Sequence, residues 1–117
     1  MANAERRGAV RVPARLAMEI KVGGDAAHVE SLNVSANGVY FASKNHIPIL
    51  TKLRITLDLS DEEGKSKNVD CDGVVVRSEP EDADPSVSEY QVACYFTSIA
   101  DHDQELLEAY ILKNVPF

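Results

Sequence analysis

Three arginines near the start of the chain, Arg6, Arg7 and Arg11, and a short polar run further on, Asn33-Val34-Ser35-Ala36-Asn37-Gly38, are the residues best equipped for chemistry. A guanidinium is always charged and presents paired N–H donors in a rigid fork, which suits phosphate oxygens and planar pairs of acceptors. Arg7 and Arg11 are four apart, and Val12 precedes Pro13, which biases the segment toward extended backbone. Four extended steps span about 13 Å, so the two side chains would grip opposite parts of one small anion. Asn33 offers a donor and an acceptor, and Ser35 a hydroxyl that rotates to suit. Two apart at a strand end, they are expected to share a face as a polar shelf, with Leu32 and Val34 pointing inward. Gly38 is expected to supply a positive φ, or a close approach to a ligand, that a Cβ would obstruct.

Charge distribution agrees with a compact anion. The net charge is -7, yet Arg6, Arg7, Arg11 and Arg15 against Glu5 give the first 15 residues +3, leaving -10 for the rest. An acidic body behind a basic arm disfavours extended nucleic acid, which the body would repel. Cys71 and Cys94 lie in expected strands without a CxxC or a nearby His, so they read as buried reduced thiols. His28, His46 and His102 are scattered singly, which argues against a metal site. With no Gly-x-Ser-x-Gly elbow, no Walker-type loop and no His placed to activate Ser35, neither an enzyme nor a cofactor is expected. No stretch approaches the roughly 18 to 20 apolar residues of a membrane span, so a soluble, cytoplasmic protein without membrane insertion is expected.

The elements that must position these residues are mostly strands. Leu16, Met18, Ile20 and Val22 alternate with Arg15, Ala17, Glu19 and Lys21, the pattern of a half-buried strand. Gly23-Gly24-Asp25 supplies a turn, and residues 26–34 and 39–43 read as strands on either side of the polar run, the first of them less regular. Leu53, Ile55, Leu57 and Leu59 mark a fourth strand, followed by a polar turn over 60–65. A fifth strand runs from about Asn68 to Arg77, with a bulge near Gly73. After a solvated loop over 79–88, Tyr90, Val92, Cys94 and Phe96 share a face of the sixth. Asp101 and Gln104 have the spacing of a capping box, ahead of Leu106, Leu107, Tyr110 and Ile111 at helical spacing. The expected fold is mainly β, a six-stranded antiparallel β-barrel with a C-terminal α-helix at about 101–114. Residues 1–14 are expected to form a flexible arginine-containing arm, and 15–117 the barrel domain.

Arg7-Gly8-Ala9-Val10-Arg11, followed 22 residues after Arg11 by Asn33-x-Ser35-x-x-Gly38, resembles the RxxxR and [D/N]xSxxG signatures of the PilZ domain, and the strand pattern and terminal helix agree with it. The resemblance implies a bacterial receptor for cyclic di-GMP in which Arg7 and Arg11 hold guanine and phosphate, and Asn33, Ser35 and Gly38 form the facing half. Guanine presents O6 and N7 as adjacent acceptors that an Arg fork matches. An arginine at the position of Arg6 implies two intercalated cyclic di-GMP molecules per chain. The chain departs from the family pattern at Asn37, where a small residue is common and where Asn still tolerates a left-handed turn. It also carries Asn33 in place of the acidic variant of the motif, which loses a carboxylate acceptor and bears on affinity.

The reading that follows is a stand-alone receptor that switches conformation on binding and signals to a partner protein. The alternative is a protein-interaction adaptor with weak or no nucleotide binding, whose candidate surface is the terminal helix and the Val115-Pro116-Phe117 tail.

Overall fold

The computed structural model describes residues 10–60 and 67–115. Its strands are β1 (Val12–Pro13), β2 (Ala17–Val22), β3 (Asp25–Val34), β4 (Gly38–Ser43), β5 (Lys52–Asp58), β6 (Asn68–Glu79) and β7 (Tyr90–Ile99), followed by helix α1 (Asp101–Asn114). The strands pair antiparallel in the order β3-β2-β5-β6-β7-β4, and a β4–β3 pairing closes them into a six-stranded barrel, with β1 as an extra strand on β3. The expected β-barrel with a C-terminal helix is therefore the observed fold.

Alternation explains why these segments close on one core. Met18 and Ile20 of β2, Leu53, Ile55 and Leu57 of β5, and Val92, Cys94 and Phe96 of β7 all point inward and are buried. Gly23, with φ +62, makes the tight turn that joins β2 to β3. The β6–β7 register does shift at Gly73, but the extra residue there is Thr97 of β7; β6 itself bulges at Val76, where its inward face passes from Val75 to Ser78. A Cβ on Gly73 would lie 2.9 Å from Ile55 Cδ1 and 3.1 Å from the Tyr95 carbonyl oxygen, so the close approach of β7 favours a residue without a side chain here.

Two expectations differ from the structure. Helix α1 does begin at Asp101 and buries Leu107 and Ile111, but Ala100 is its N-cap and no side chain caps it. Gln104 N–H donates to Ala100 O at 2.8 Å, and the Gln104 side chain turns to Glu108 instead. Asp101 and Asp103 thus act on the first turn through the helix dipole, without a capping box. The loop after Glu79 is more tied down than a purely solvated one. His46 Nε2 lies 2.6 Å from Glu81 O, and the Tyr90 hydroxyl accepts from Asp84 N–H at 3.0 Å. Of the polar turn expected over 60–65, residues 61–65 lie outside the described residues.

The irregularity of β3 has a specific cause. Its pairing with β4 shifts between Ser31 and Asn33, making Leu32 the extra residue of a bulge. The phase of the strand changes there: Ser31 and Val34 are both fully buried, while Leu32 and Asn33 are half-buried. Leu32 consequently does not point into the core as strict alternation requires. On the other edge of β3, β2 pairs with its first part and β1 with its last residues. The Ser31 hydroxyl fills the gap between them, accepting from Leu16 N–H at 2.8 Å and donating to Ala14 O. Ser31 N–H donates to Leu16 O at 3.0 Å and Ala14 N–H to Leu32 O at 3.2 Å, so the amides and carbonyls of Ala14 and Leu16 all have partners.

Candidate functional site

The β1–β3 pairing brings the two polar signatures together. Val12 faces Val34 and Pro13 faces Asn33, which seats Arg11 beside the end of β3. Val12 is fully buried, so alternation turns Arg11 outward, where its Nη1 donates to Asn33 Oδ1 at 2.9 Å. Residues 22 apart in sequence therefore meet on the outer surface of the barrel. Arg6 and Arg7 lie outside the described residues.

Ser35 and Gly38 form the turn that enters β4. Ser35 N–H donates to Gly38 O at 2.9 Å, and the Ser35 hydroxyl accepts from Asn37 N–H at 3.2 Å. This is a side-chain-closed turn of the kind Ser favours. Ser35 is only 2% exposed, so the polar shelf expected of Asn33 and Ser35 is reduced to Asn33, while the Ser35 hydroxyl is turned into the loop. The difference follows from the Leu32 bulge and from the end of β3 at Val34: Ser35 is no longer on the strand whose alternation set the expectation.

Gly38 is required by its packing against β7, and not by a positive φ. Its φ is not positive, and neither is that of Asn37. A Cβ at Gly38 would sit 2.3 Å from Cys94 O, inside the backbone of β7. The same strand is fastened to the turn one residue later, where Phe96 N–H donates to Asn37 O at 2.8 Å. Close packing of backbone on backbone fixes this position, independently of any ligand.

Around the turn, the outward residues form a continuous surface. Asn33 of β3 pairs with Tyr40 of β4, which pairs with Ala93 of β7; one row further along, Gly38 pairs with Tyr95. The Tyr40 hydroxyl donates to Gln91 Oε1 at 2.8 Å. Arg15 stands apart from this surface, with its Nη1 3.0 Å from Glu30 Oε1 in an exposed ion pair. A groove of about 640 Å³ beside the β3 bulge contains none of the signature residues, and its Arg15 and Lys44 are matched by Glu30 and Glu89, so it has no excess charge to draw in an anion. Among the described residues no group of three or more His, Cys, Asp or Glu could hold a metal ion. Burial pushes the thiols of Cys71 and Cys94 up to about 12, which keeps them protonated and unreactive at neutral pH.

Sequence reasoning missed Ser31 and Tyr95. Ser31 holds the Ala14–Leu16 segment against β3, but nothing in a lone serine between Glu30 and Leu32 signals a bulge. Tyr95 does carry a signal, being the aromatic residue at an outward position between the inward Cys94 and Phe96.

The family model described as PilZ domain matches residues 5–113. Comparison with curated proteins finds no match. Among solved structures, the chain is similar to the Bacillus subtilis inhibitor of motility MotI/DgrA, with TM-score 0.77, 25% identity, and coverage of 92% of this chain and 50% of that one. The PilZ domain of Escherichia coli YcgR with c-di-GMP aligns at TM-score 0.66 and 13% identity, covering 93% of this chain and 91% of that one. The Borreliella burgdorferi PlzA protein in complex with c-di-GMP aligns at TM-score 0.57 and 11% identity, covering 99% and 57%. This chain thus spans about half the length of the MotI chain and nearly all of the YcgR domain.

Proposed function

The chain belongs to the PilZ domain family, and from that premise we propose that it is a non-catalytic receptor for cyclic di-GMP whose arginine arm closes on the ligand and alters the surface offered to a downstream protein. The observation that carries this reading is the 2.9 Å bond from Arg11 to Asn33, which holds one residue of each signature within reach of the same small ligand. Both groups are solvent-accessible, so a guanine could displace this neutral-acceptor bond and take the Arg11 fork for its O6 and N7. Asn33 would then be released to donate to and accept from a base edge.

Arg7 and Arg6 extend the same reading. Arg7 would pair with Arg11 across the ligand, and Arg6 would accompany a second, intercalated molecule. Ordering the arm costs about 1–2 kcal/mol per backbone residue fixed, which charge-assisted hydrogen bonds to phosphate and guanine must exceed. Only a difference in affinity between open and closed arm transmits a signal.

Isothermal titration with cyclic di-GMP, with GTP as the control nucleotide, tests the proposal. Micromolar or tighter binding is expected, at a ratio near two. A ratio near one would remove the role of Arg6, and no binding at tens of micromolar would remove the receptor reading.

A further inference from the structure

Resting on that reading, we infer that Tyr95, which belongs to neither signature, is the stacking platform for a guanine of the ligand and so completes the site on the side opposite Arg11. β7 is regular here: Cys94 and Phe96 turn inward and are buried, whereas Tyr95 turns outward and is 52% exposed. Its pairing partner is Gly38, which has no side chain to cover the ring. The next outward position on the same strand is Ala93, which is equally small. On the β4 side Tyr95 therefore has only bare backbone beside it, while Val74 of β6 flanks it on the other. The turn cannot drift away from it, because Phe96 N–H is bonded to Asn37 O and Gly38 is packed on the Cys94 carbonyl.

Position and chemistry both fit a base. Arg11 lies on the β3 flank of the turn and Tyr95 on the β7 flank; two strand spacings, about 10 Å, separate β3 from β7. A guanine held at its edge by Arg11 or Asn33 and lying over Gly38 brings its face to the Tyr95 ring. Tyr40, the other outward aromatic of this surface, pairs with Ala93 and is the diagonal neighbour of Tyr95, but its hydroxyl is engaged by Gln91. An aromatic face adds affinity without adding charge, and a site built only from exposed hydrogen bonds lacks that contribution.

The chain contains no tryptophan, so Tyr95→Trp installs a single indole reporter at the proposed contact. Wild type, Arg11→Ala, Tyr95→Ala, Tyr95→Phe and Tyr95→Trp are titrated with cyclic di-GMP, following heat and, for the last, indole emission. Tyr95→Ala is expected to weaken binding about tenfold, and Tyr95→Phe by no more than about twofold, because stacking needs the ring and not the hydroxyl. The indole of Tyr95→Trp is expected to be quenched at saturation, while the indole of Leu112→Trp, on the exposed face of α1, is unmoved. Tyr95→Ala binding as tightly as wild type, Tyr95→Phe losing as much as Tyr95→Ala, or an unquenched indole at saturation would each overturn the inference while Arg11→Ala still shows the receptor reading to hold. Absence of binding by wild type itself would overturn that reading and this inference with it.

Discussion

The two halves of the candidate site are built in opposite ways. The Ser35–Gly38 turn is part of the barrel: Ser35 is buried, its backbone and hydroxyl close the loop, and Gly38 is pressed onto the backbone of β7. Arg11 is attached by a two-residue strand and one exposed hydrogen bond. One wall is thus a rigid part of the barrel, and the other is an exposed side chain next to the buried Val12. The difference also separates what each substitution should disturb, stability on the barrel side and binding on the arm side.

Gly38→Ala is expected to have the largest effect. Its Cβ would meet Cys94 O at 2.3 Å, and neither strand can yield without breaking the β4–β7 ladder. Overpacking of this kind costs about 3 kcal/mol, and denaturant unfolding should report it with or without ligand. Stability equal to wild type would mean that the turn is free to move and that the rigid wall is not rigid.

Arg11→Ala should do the reverse. Loss of a charge-assisted pair to the ligand removes about 1.5–3 kcal/mol of binding, roughly 10- to 100-fold in affinity. The fold should stay within about 0.5 kcal/mol of wild type, since an exposed side chain whose partner among the described residues is Asn33 contributes little. Titration beside a melting curve makes the comparison directly. A variant that lost stability as well would show the arm to be a structural strand rather than a switch.

Much of this fold was legible because alternation is a strong signal wherever a strand is regular. The inward sets of β2, β5 and β7 were readable residue by residue, and Gly73 marked a shift of register, though the bulge of β6 itself falls at Val76. β3 was not, because the bulge at Leu32 shifts the inward phase from Ser31 to Val34 and no periodic rule anticipates an inserted residue. β1 is two residues long and includes a proline, too short to carry a period at all. At the site, the two signatures marked Arg11 and Asn33 as facing halves of one site, but not that they bond to each other, that Ser35 would be buried in its own turn or that Gly38 answers to a neighbouring carbonyl. Those facts depend on which strand lies alongside, and sequence spacing does not contain that information. The capping-box spacing of Asp101 and Gln104 failed for a simpler reason: the helix starts one residue earlier than that pattern needs, so Asp101 is already inside it.

Ser31 joins the two halves, and its substitution sharpens the contrast between them. Its hydroxyl accepts from Leu16 N–H and donates to Ala14 O, at the place where β3 passes from β2 to β1. Ser31→Ala would leave that buried amide and carbonyl short of a partner, at about 1–3 kcal/mol. The cost should appear in stability first. It should then reach the ligand, since Ala14 is three residues from Arg11 and the register Val12–Val34 is what brings Arg11 to Asn33. Affinity is expected to fall by about threefold, less than for Arg11→Ala, because the guanidinium is still present and only its placement has loosened.

Arg15→Ala supplies the smallest effect and the cleanest control. Arg15 is another arginine of the basic N-terminal stretch, four residues beyond Arg11, so a site that depended only on local positive charge would lose affinity when it is removed. In the structure it is paired with Glu30 on an exposed surface, away from Asn33. Exposed pairs of this kind contribute about 0–1 kcal/mol, so the melting temperature should hardly move. Its removal leaves Glu30 uncompensated near the arm, and over that distance salt screens the extra charge. Affinity for cyclic di-GMP at physiological ionic strength should accordingly stay within about twofold of wild type. A loss comparable to that of Arg11→Ala would mean that the arm works as a diffuse field of charge, and the geometric pairing of Arg11 with Asn33 would lose its claim to be the organising contact.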